Sequence, residues 1–330
     1  MKILIDVMGG DDPTEVVKGA LAAAEEHPDL SIVLTGDEKL IADTVAEKIP
    51  NLTVVGTSET ISNDESPTMA IKTKKNSSMV VALRMLSQDD DAIGMVSTGS
   101  TGAVLTGASL IVGRISGVYR PTLMSQLPTM NGSIVCITDS GANMDSRPEW
   151  LYQFAVMGSA YMKAVTGKDK PSVALLNVGT EDHKGNALIH ETFPLLKNSA
   201  LNFVGNMEAR DTLTGKYDVV VCDGYDGNIL LKGSEGAAKM VMKSLKAAIM
   251  GSFSAKIGYL FMKKAFKKLR HDMDYNNYGG APFLGIKKPV IKSHGSSNAS
   301  AIRQSVNQLL KIKEGNVIEM IKSGIAEGAK

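Results

Sequence analysis

The sequence predicts an α/β fold of three layers, doubly wound around a mostly parallel sheet, with a projecting helical segment. Three observations predict it. Short β-rich runs alternate with helical patterns along the chain. Several runs, such as Val-Val-Val-Cys at 219–222, are unbroken apolar stretches, the pattern of strands covered on both faces. Six strand ends pass into polar, glycine-rich turns.

The elements read in order as follows. A strand over 2–7 is followed by Asp12-Pro13-Thr14-Glu15. Asp serves as N-cap, Pro takes the first helical position and Glu lies three residues after the cap. Val16, Ala20, Ala23 and Ala24 then share one helical face. A strand at 31–35, a helix at 37–49 and a strand at 52–55 come next. A helix starts near Ser66-Pro67 and breaks before Leu86. Further strands fall at 92–96, 133–138, 173–177, 219–222 and 290–292. Helices fall at 102–112, 149–165, 185–196, 228–250 and 297–311.

The 330 residues are 43% apolar and 22% charged, which excludes a disordered or collagen-like chain. A core of this size needs no disulfide staple. Cys136 and Cys222 each end an apolar run and read as buried, reduced thiols. With no internal repeat, low-complexity tract or linker, residues 1–330 read as one α/β unit, with a basic amphipathic projection at 240–275. Met1-Lys2 leads straight into Ile3-Leu4-Ile5-Asp6, too short for a secretory h-region. The longest uncharged stretch, 92–113, is interrupted by Ser97-Thr98-Gly99-Ser100-Thr101-Gly102, whereas a bilayer span needs about 20 predominantly apolar residues. A cytoplasmic location is expected.

The net charge of +1 hides an asymmetry. Residues 236–271 carry nine Lys or Arg and no Asp or Glu, so the remaining body is acidic. One basic segment on an acidic body argues for a localised acidic partner and against nucleic acid wrapped over a broad face. On a helix over 257–270, Tyr259, Phe261, Met262, Ala265, Phe266 and Leu269 cover one arc. Lys263, Lys264, Lys267, Lys268 and Arg270 fill the other, with Ile257 and Leu260 among them. That pattern suits a helix lying on an anionic membrane surface, and an acidic carrier protein is equally allowed. The bland alternative is a solvated helix packed on the core or on a second subunit.

In a parallel sheet all six turns lie on the carboxyl edge, where ligands bind. The best anion site is the turn formed by Ser97, Thr98, Gly99, Ser100, Thr101 and Gly102: it offers backbone N–H groups and hydroxyls, and a helix follows. It is not a Walker A loop, and no Gly-x-Gly-x-x-Gly supports a dinucleotide. Lys184 and His183, in another of the turns, supply cations to the same anion. The five histidines are scattered, His190-Glu191 has no second His at helical spacing, and no Cys pair accompanies them, so no metal site is expected. His27 and His271 read as surface residues, while His294 stays open between a functional role and a turn role. Asp6, Asp11, Asp139, Asp145, Asp223 and Asp226 crowd the same edge, where bracing of loop N–H groups is favoured over Mg²⁺ binding.

These turns resemble a known family from end to end of the chain. The matching stretches are Asp-Val-Met-Gly-Gly-Asp-Asp-Pro at 6–13, Val-Ser-Thr-Gly-Ser-Thr-Gly-Ala at 96–103 and Arg-Pro-Thr-Leu at 120–123. They continue with Asp-Ser-Gly-Ala-Asn-Met-Asp at 139–145, Leu-Leu-Asn-Val-Gly-Thr-Glu-Asp-His-Lys-Gly-Asn at 175–186 and Gly-Asn-Met-Glu-Ala-Arg-Asp at 205–211. Asp-Gly-Tyr-Asp-Gly-Asn at 223–228, Tyr-Gly-Gly-Ala at 278–281 and Lys-Ser-His-Gly-Ser-Ser at 292–297 complete them. The chain is similar to the bacterial phosphate acyltransferases of phospholipid synthesis. It has Thr98 and Ser100 where that family usually has Ala and Asn, which removes an amide but keeps the backbone donors, and Ala209 where it usually has Gly.

The resemblance implies transfer of a fatty acyl group from acyl carrier protein to inorganic phosphate, with no cofactor. It implies a scaffold similar to isocitrate and isopropylmalate dehydrogenases and to phosphotransacetylase. It also implies a homodimer in peripheral contact with the membrane, with the downstream membrane acyltransferase as a further partner. The 97–102 turn would cradle phosphate and Lys184 neutralise it. Asn143, Asn186, Asn228 or His294 would donate to the thioester carbonyl. Asp6, Asp139 and Asp223 would orient these donors, with Gly9 and Gly10 in support. Phe261, Met262, Lys263, Lys264, Phe266, Lys267 and Lys268 would meet membrane or carrier. Phosphate ionises a second time near pH 6 to 7, by comparison with phosphoserine at about 6, and the thiolate leaves readily, so direct attack is favoured. A covalent route through Cys136 or Cys222 competes, with no base beside either in sequence. Rival functions are a dehydrogenase on the same scaffold and a non-catalytic binder of membrane or carrier.

Overall fold

The computed structural model describes residues 1–45, 49–272 and 278–328. Residues 46–48 of the expected 37–49 helix and 273–275 of the expected projection lie outside the described residues, as do the side chains of Arg270 and His271.

Strand β1 (Lys2–Asp6) leads to α1 (Pro13–Glu26), whose first amides bond the Asp12 carboxylate as expected. Then come β2 (Ser31–Gly36), α2 (Glu38–Thr44) and β3 (Leu52–Gly56). The broken helix after Ser66 is two helices, α3 (Pro67–Thr73) and α4 (Ser78–Gln88), the second capped by Ser77. β4 (Ala92–Ser97) runs into α5 (Thr101–Gly107), which a π-helical turn (Ala108–Val112) prolongs. β5 (Thr122–Pro128) and β6 (Ile134–Thr138) form a hairpin before α6 (Pro148–Thr166). β7 (Ser172–Asn177), α7 (Ala187–Lys197), β8 (Asn202–Glu208) and β9 (Val219–Val221) follow. The long helices α8 (Gly224–Gly251) and α9 (Phe253–Asp272) come next. β10 (Ala281–Leu284), β11 (Val290–Lys292), α10 (Ala299–Glu314) and α11 (Val317–Gly328) complete the order.

The strands form one eleven-stranded sheet in the order β3-β2-β1-β4-β11-β10-β5-β6-β9-β7-β8. Seven of its ten junctions are parallel. The other three, β11–β10, β10–β5 and β5–β6, are antiparallel and adjacent. An odd number of reversals makes β6, β9, β7 and β8 run opposite to β3, β2, β1, β4 and β11. This corrects the expectation that all six turns leave one carboxyl edge. The sequence pattern shows no β5, β8, β10 or α11. Pro128 and Pro282 interrupt two of these strands and Gly205, at φ +97°, the third, so none reads as an apolar run.

Register brings the opposed ends together. Ala281 pairs with Lys292, Phe283 with Leu123, and Ser125 with Ile137. Carried along β10, this register sets the end of β11 level with Ser125 and Ile137, two residues short of Asp139. The carboxyl ends of both halves therefore overlap at a waist.

The layers follow from alternation along the strands. Ile3 and Ile5 of β1, Cys136 of β6 and Val219 and Val221 of β9 face one continuous apolar cluster shared with α1, α6, α10 and α11. Leu4 joins a second cluster with α3, α4 and α5 on the opposite face. Val135, Ile137 and Val220 join a third, with Leu230 and Leu231 of α8 packed against it. One face of the sheet thus carries a single cluster and the other carries two, with a gap between them.

Past its first turns α8 leaves the sheet and pairs with α9. Met240 and Val241 are exposed, and so are Ile257, Tyr259, Leu260, Phe261, Met262 and Leu269 of α9. Phe261 is 86% exposed; Phe266 rests against Tyr259, ring centroids 5.4 Å apart. The apolar arc of α9 is thus not packed on the core of its own chain.

Candidate active site

The turns after β1, β4 and β11 interlock through glycines. A Cβ on Gly9 would lie 2.5 Å from the Gly99 backbone, and one on Gly10 would lie 2.6 Å from Thr98 Oγ1 and 2.9 Å from Gly295 O. Only bare backbone fits there. The Asp11 N–H donates to Gly295 O at 2.8 Å, fastening the outer turns together. Beneath them Asp6 is fully buried and accepts from Ser97 Oγ at 2.7 Å. Burial raises its carboxyl above the usual range against those hydrogen bonds.

The 97–102 turn engages two of its expected donors internally, the Ser97 hydroxyl and the Gly99 N–H. Ser97 Oγ donates to Asp6 and accepts the Gly99 N–H at 3.1 Å. Ser100 Oγ caps Ala103 N. Thr98 is buried and its Oγ1 has no hydrogen-bond partner among the described residues. Thr101 and Gly102 open α5, so their amides precede the first helical hydrogen bond, and Thr101 faces the cavity described below.

The turns after β6 and β9 are built on Asp139. Its buried carboxylate accepts five N–H bonds, from Leu123, Gly141, Ala142 and, twice, Asn143. Burial pushes its pKa up against them. Asn143 Nδ2 divides its protons between Asp139 and Pro121 O, so it has none left for a substrate. Asp223 caps α8 by accepting Asp226 N–H at 2.8 Å, and Gly224 N–H donates to Asn143 O at 2.7 Å. Asn228 then stands on the first turns of α8, exposed beside Gly141.

Both sets of turns open on one cavity of about 240 Å³, seated in the gap between the two apolar clusters. Thr101, Lys292, His294 and Ser297 line it from one half, and Ser140, Gly141 and Asn228 from the other. Leu123, Leu127 and Leu231 give it an apolar wall, and Lys232 and Glu235 of α8 stand among the lining residues. Lys292 is the residue that motif reading missed as a site residue, although it opens the 292–297 stretch. Its Nζ donates to Thr98 O at 3.1 Å and to Ser293 O. Burial lowers its pKa to about 8, against the opposing pull of Asp6 and Asp11. His294 lies beside it; burial, Lys232 and Lys292 hold its imidazole below the usual range.

Lys184 and Asn186 do not line this cavity. Their turn follows β7 and is tied locally: Asn177 Nδ2 donates to Lys184 O, Asn206 Nδ2 to Glu181 O, and Asn186 caps α7 at Ile189 N. His183 and Lys184 are exposed there. Cys136 and Cys222 are buried, and burial pushes both thiols well above their usual pKa. Among the described residues no three His, Cys, Asp or Glu are grouped to hold a metal, and no helix is long and apolar enough to cross a membrane.

Residues 1–320 match the family described as fatty acid synthesis protein. A phosphate acyltransferase of Brevibacillus brevis is 45% identical over 327 residues, 98% of this chain and 97% of its own. One of Clostridium novyi is 45% identical over 331 residues, 99% of each chain. Among solved structures, a phosphotransacetylase from Streptococcus pyogenes superposes with a TM-score of 0.58 at 17% identity, over 95% of this chain and 94% of that one. This last likeness bears on fold alone, and it agrees with the α/β scaffold expected from the sequence.

Proposed function

The chain belongs to the fatty acid synthesis protein family and is an acyltransferase of its phosphate acyltransferase group; on that premise we propose that its acyl donor is the thioester of acyl carrier protein and that the acyl phosphate formed serves phospholipid synthesis. The observation that carries this reading is the cavity at the waist of the sheet. It sets cation and N–H donors against an apolar wall, which suits an oxyanion meeting an acyl chain.

Phosphate occupies the corner between Lys292 and the first amides of α5 in this reading. Lys292 takes the neutralising role expected of Lys184, because it lies in the cavity and Lys184 does not. Asn228 and His294 face the thioester carbonyl, and Asp6, Asp139 and Asp223 hold the turns that carry these groups. The chain's work is positioning two reactants and stabilising the tetrahedral oxyanion. The raised, buried thiols of Cys136 and Cys222 support direct attack by phosphate over a cysteine acyl intermediate.

The α8–α9 projection is the segment proposed to meet the membrane. Its exposed Phe261 and Met262 would enter the interface while Lys263, Lys264, Lys267 and Lys268 meet anionic headgroups. A homodimer is proposed from the resemblance, with the downstream membrane acyltransferase as a further partner.

Incubation with an acyl carrier protein thioester and orthophosphate, with hydroxylamine as trap, tests the reaction. Hydroxamate above the enzyme-free thioester blank, formed only when phosphate is present, is the expected result. An intact thioester that yields none in the presence of phosphate overturns it.

A further inference from the structure

We infer that His294 is held as the Nε2–H tautomer by Ser296 and acts as a neutral hydrogen-bond donor to the thioester carbonyl oxygen, not as a base. The inference rests on the acyl-transfer reading above. Ser297 N–H donates to His294 O at 3.0 Å and closes a tight turn. Within that turn the imidazole folds back on its own backbone. Ser296 N–H points at Nδ1 at 3.2 Å, and Ser296 Oγ lies 2.8 Å from the same atom. A backbone amide can only donate, so Nδ1 must present its lone pair there. The proton of the neutral ring then sits on Nε2, at the edge turned away from the turn.

The turn has little freedom to release the ring. Asp11 N–H fastens Gly295 O, and Gly10 packs so close to that oxygen that no side chain fits between them. The charged groups around the imidazole are Lys232 and Lys292 on one side of the balance and Glu235 and Asp11 on the other. Burial and the two lysines oppose an imidazolium. A fixed donor at the edge of the cavity suits charge that develops only in the transition state.

The step balances without a base. An oxygen of hydrogen phosphate forms a bond to the carbonyl carbon, and the carbonyl π pair moves onto oxygen, where Nε2–H meets it. Collapse breaks the C–S bond and sulfur leaves with the pair. The proton that hydrogen phosphate brought ends on the thiolate through solvent, and His294 keeps its own proton throughout.

His294→Gln places an amide N–H near the position of Nε2 and cannot serve as a base. We expect it to keep kcat within about tenfold of the wild type, while His294→Ala loses roughly 10²–10³-fold, the usual cost of one oxyanion donor. The KM for phosphate should stay near the wild-type value in both. Equal losses in the two variants, or a raised phosphate KM at unchanged kcat, would overturn the assignment. Independently of activity, ¹⁵N spectra of the wild-type imidazole at neutral pH should show Nδ1 bare and Nε2 protonated; the reverse tautomer refutes it. Ser296→Ala removes the hydroxyl and keeps the backbone N–H, so it should lower kcat several-fold and weaken the tautomer preference in part, with Ser296→Thr restoring both; no change in either readout removes the Ser296 hydroxyl from the argument. Hydroxamate formation by the wild type reads the acyl-transfer assignment alone, so the two can fail separately.

Discussion

At Lys292 a cation sits against two backbone carbonyls, of Thr98 and Ser293, while burial works against its charge. Two of its three protons are engaged, and among the described residues the third has no acceptor and is left for an anion in the cavity. Lys292→Met should therefore lower kcat/KM for phosphate by roughly 10²-fold. The pH dependence has a definite sign. The lysine is lowered from 10.5 to about 8, so the free enzyme loses its ammonium as pH rises through that value. The kcat/KM for phosphate should fall on the alkaline side of about 8, and Lys292→Arg, which stays charged, should carry that limb to higher pH. A wild type and arginine variant sharing one alkaline limb would refute the assignment. Sequence reading found the neighbourhood of this lysine but not its role. The four hydroxyl residues and two glycines at 97–102 read together as a phosphate cradle, yet Ser97 serves Asp6 and Ser100 caps its helix. Which way a hydroxyl points is decided by the packing of other turns, and no local pattern carries that.

Elements with strong local signals were legible. The Asp12 cap, the apolar runs of β1, β4 and β9 and the charge asymmetry of α9 all come from neighbours in sequence. β5, β8 and β10 were not, because proline or glycine interrupts each and leaves no unbroken apolar run. The side chains of α9 were placed on their arcs by period alone, but only the fold shows that its apolar arc is left uncovered. An exposed Phe261 on that arc is costly unless an interface receives it. Lys263, Lys264, Lys267 and Lys268 changed together to Glu should abolish flotation with anionic vesicles. At about 1 kcal/mol per basic residue near such a surface, losing four cations alone weakens binding by roughly three orders of magnitude. Undiminished flotation would remove lipid as the partner. Lost turnover of a soluble carrier thioester, with flotation intact, would assign the segment to the carrier instead.

The whole molecule is two parallel half-sheets set in opposite directions and joined through three consecutive antiparallel junctions. In a simple doubly wound sheet, opposed halves would send their carboxyl ends to opposite edges. Here the stagger of β10, β5 and β6 makes those ends overlap, and the apolar layer above them divides into two clusters instead of one. The cavity lies in that division, so its polar groups come from both halves: Lys292 and His294 from one, Gly141 and Asn228 from the other. A ligand that bridges them ties the halves together and stabilises the fold that holds it. Orthophosphate at about 100 times its Kd should contribute ~2.7 kcal/mol. The melting temperature should accordingly rise with phosphate concentration, and Lys292→Met should flatten that rise while leaving the unliganded melting temperature close to the wild-type value. Hydrogen exchange should slow with phosphate at the β5–β10 and β5–β6 junctions and much less in β3 and β8, the outer strands. Protection confined to the turns of one half, with the junctions unchanged, would mean that phosphate binds without bridging the waist.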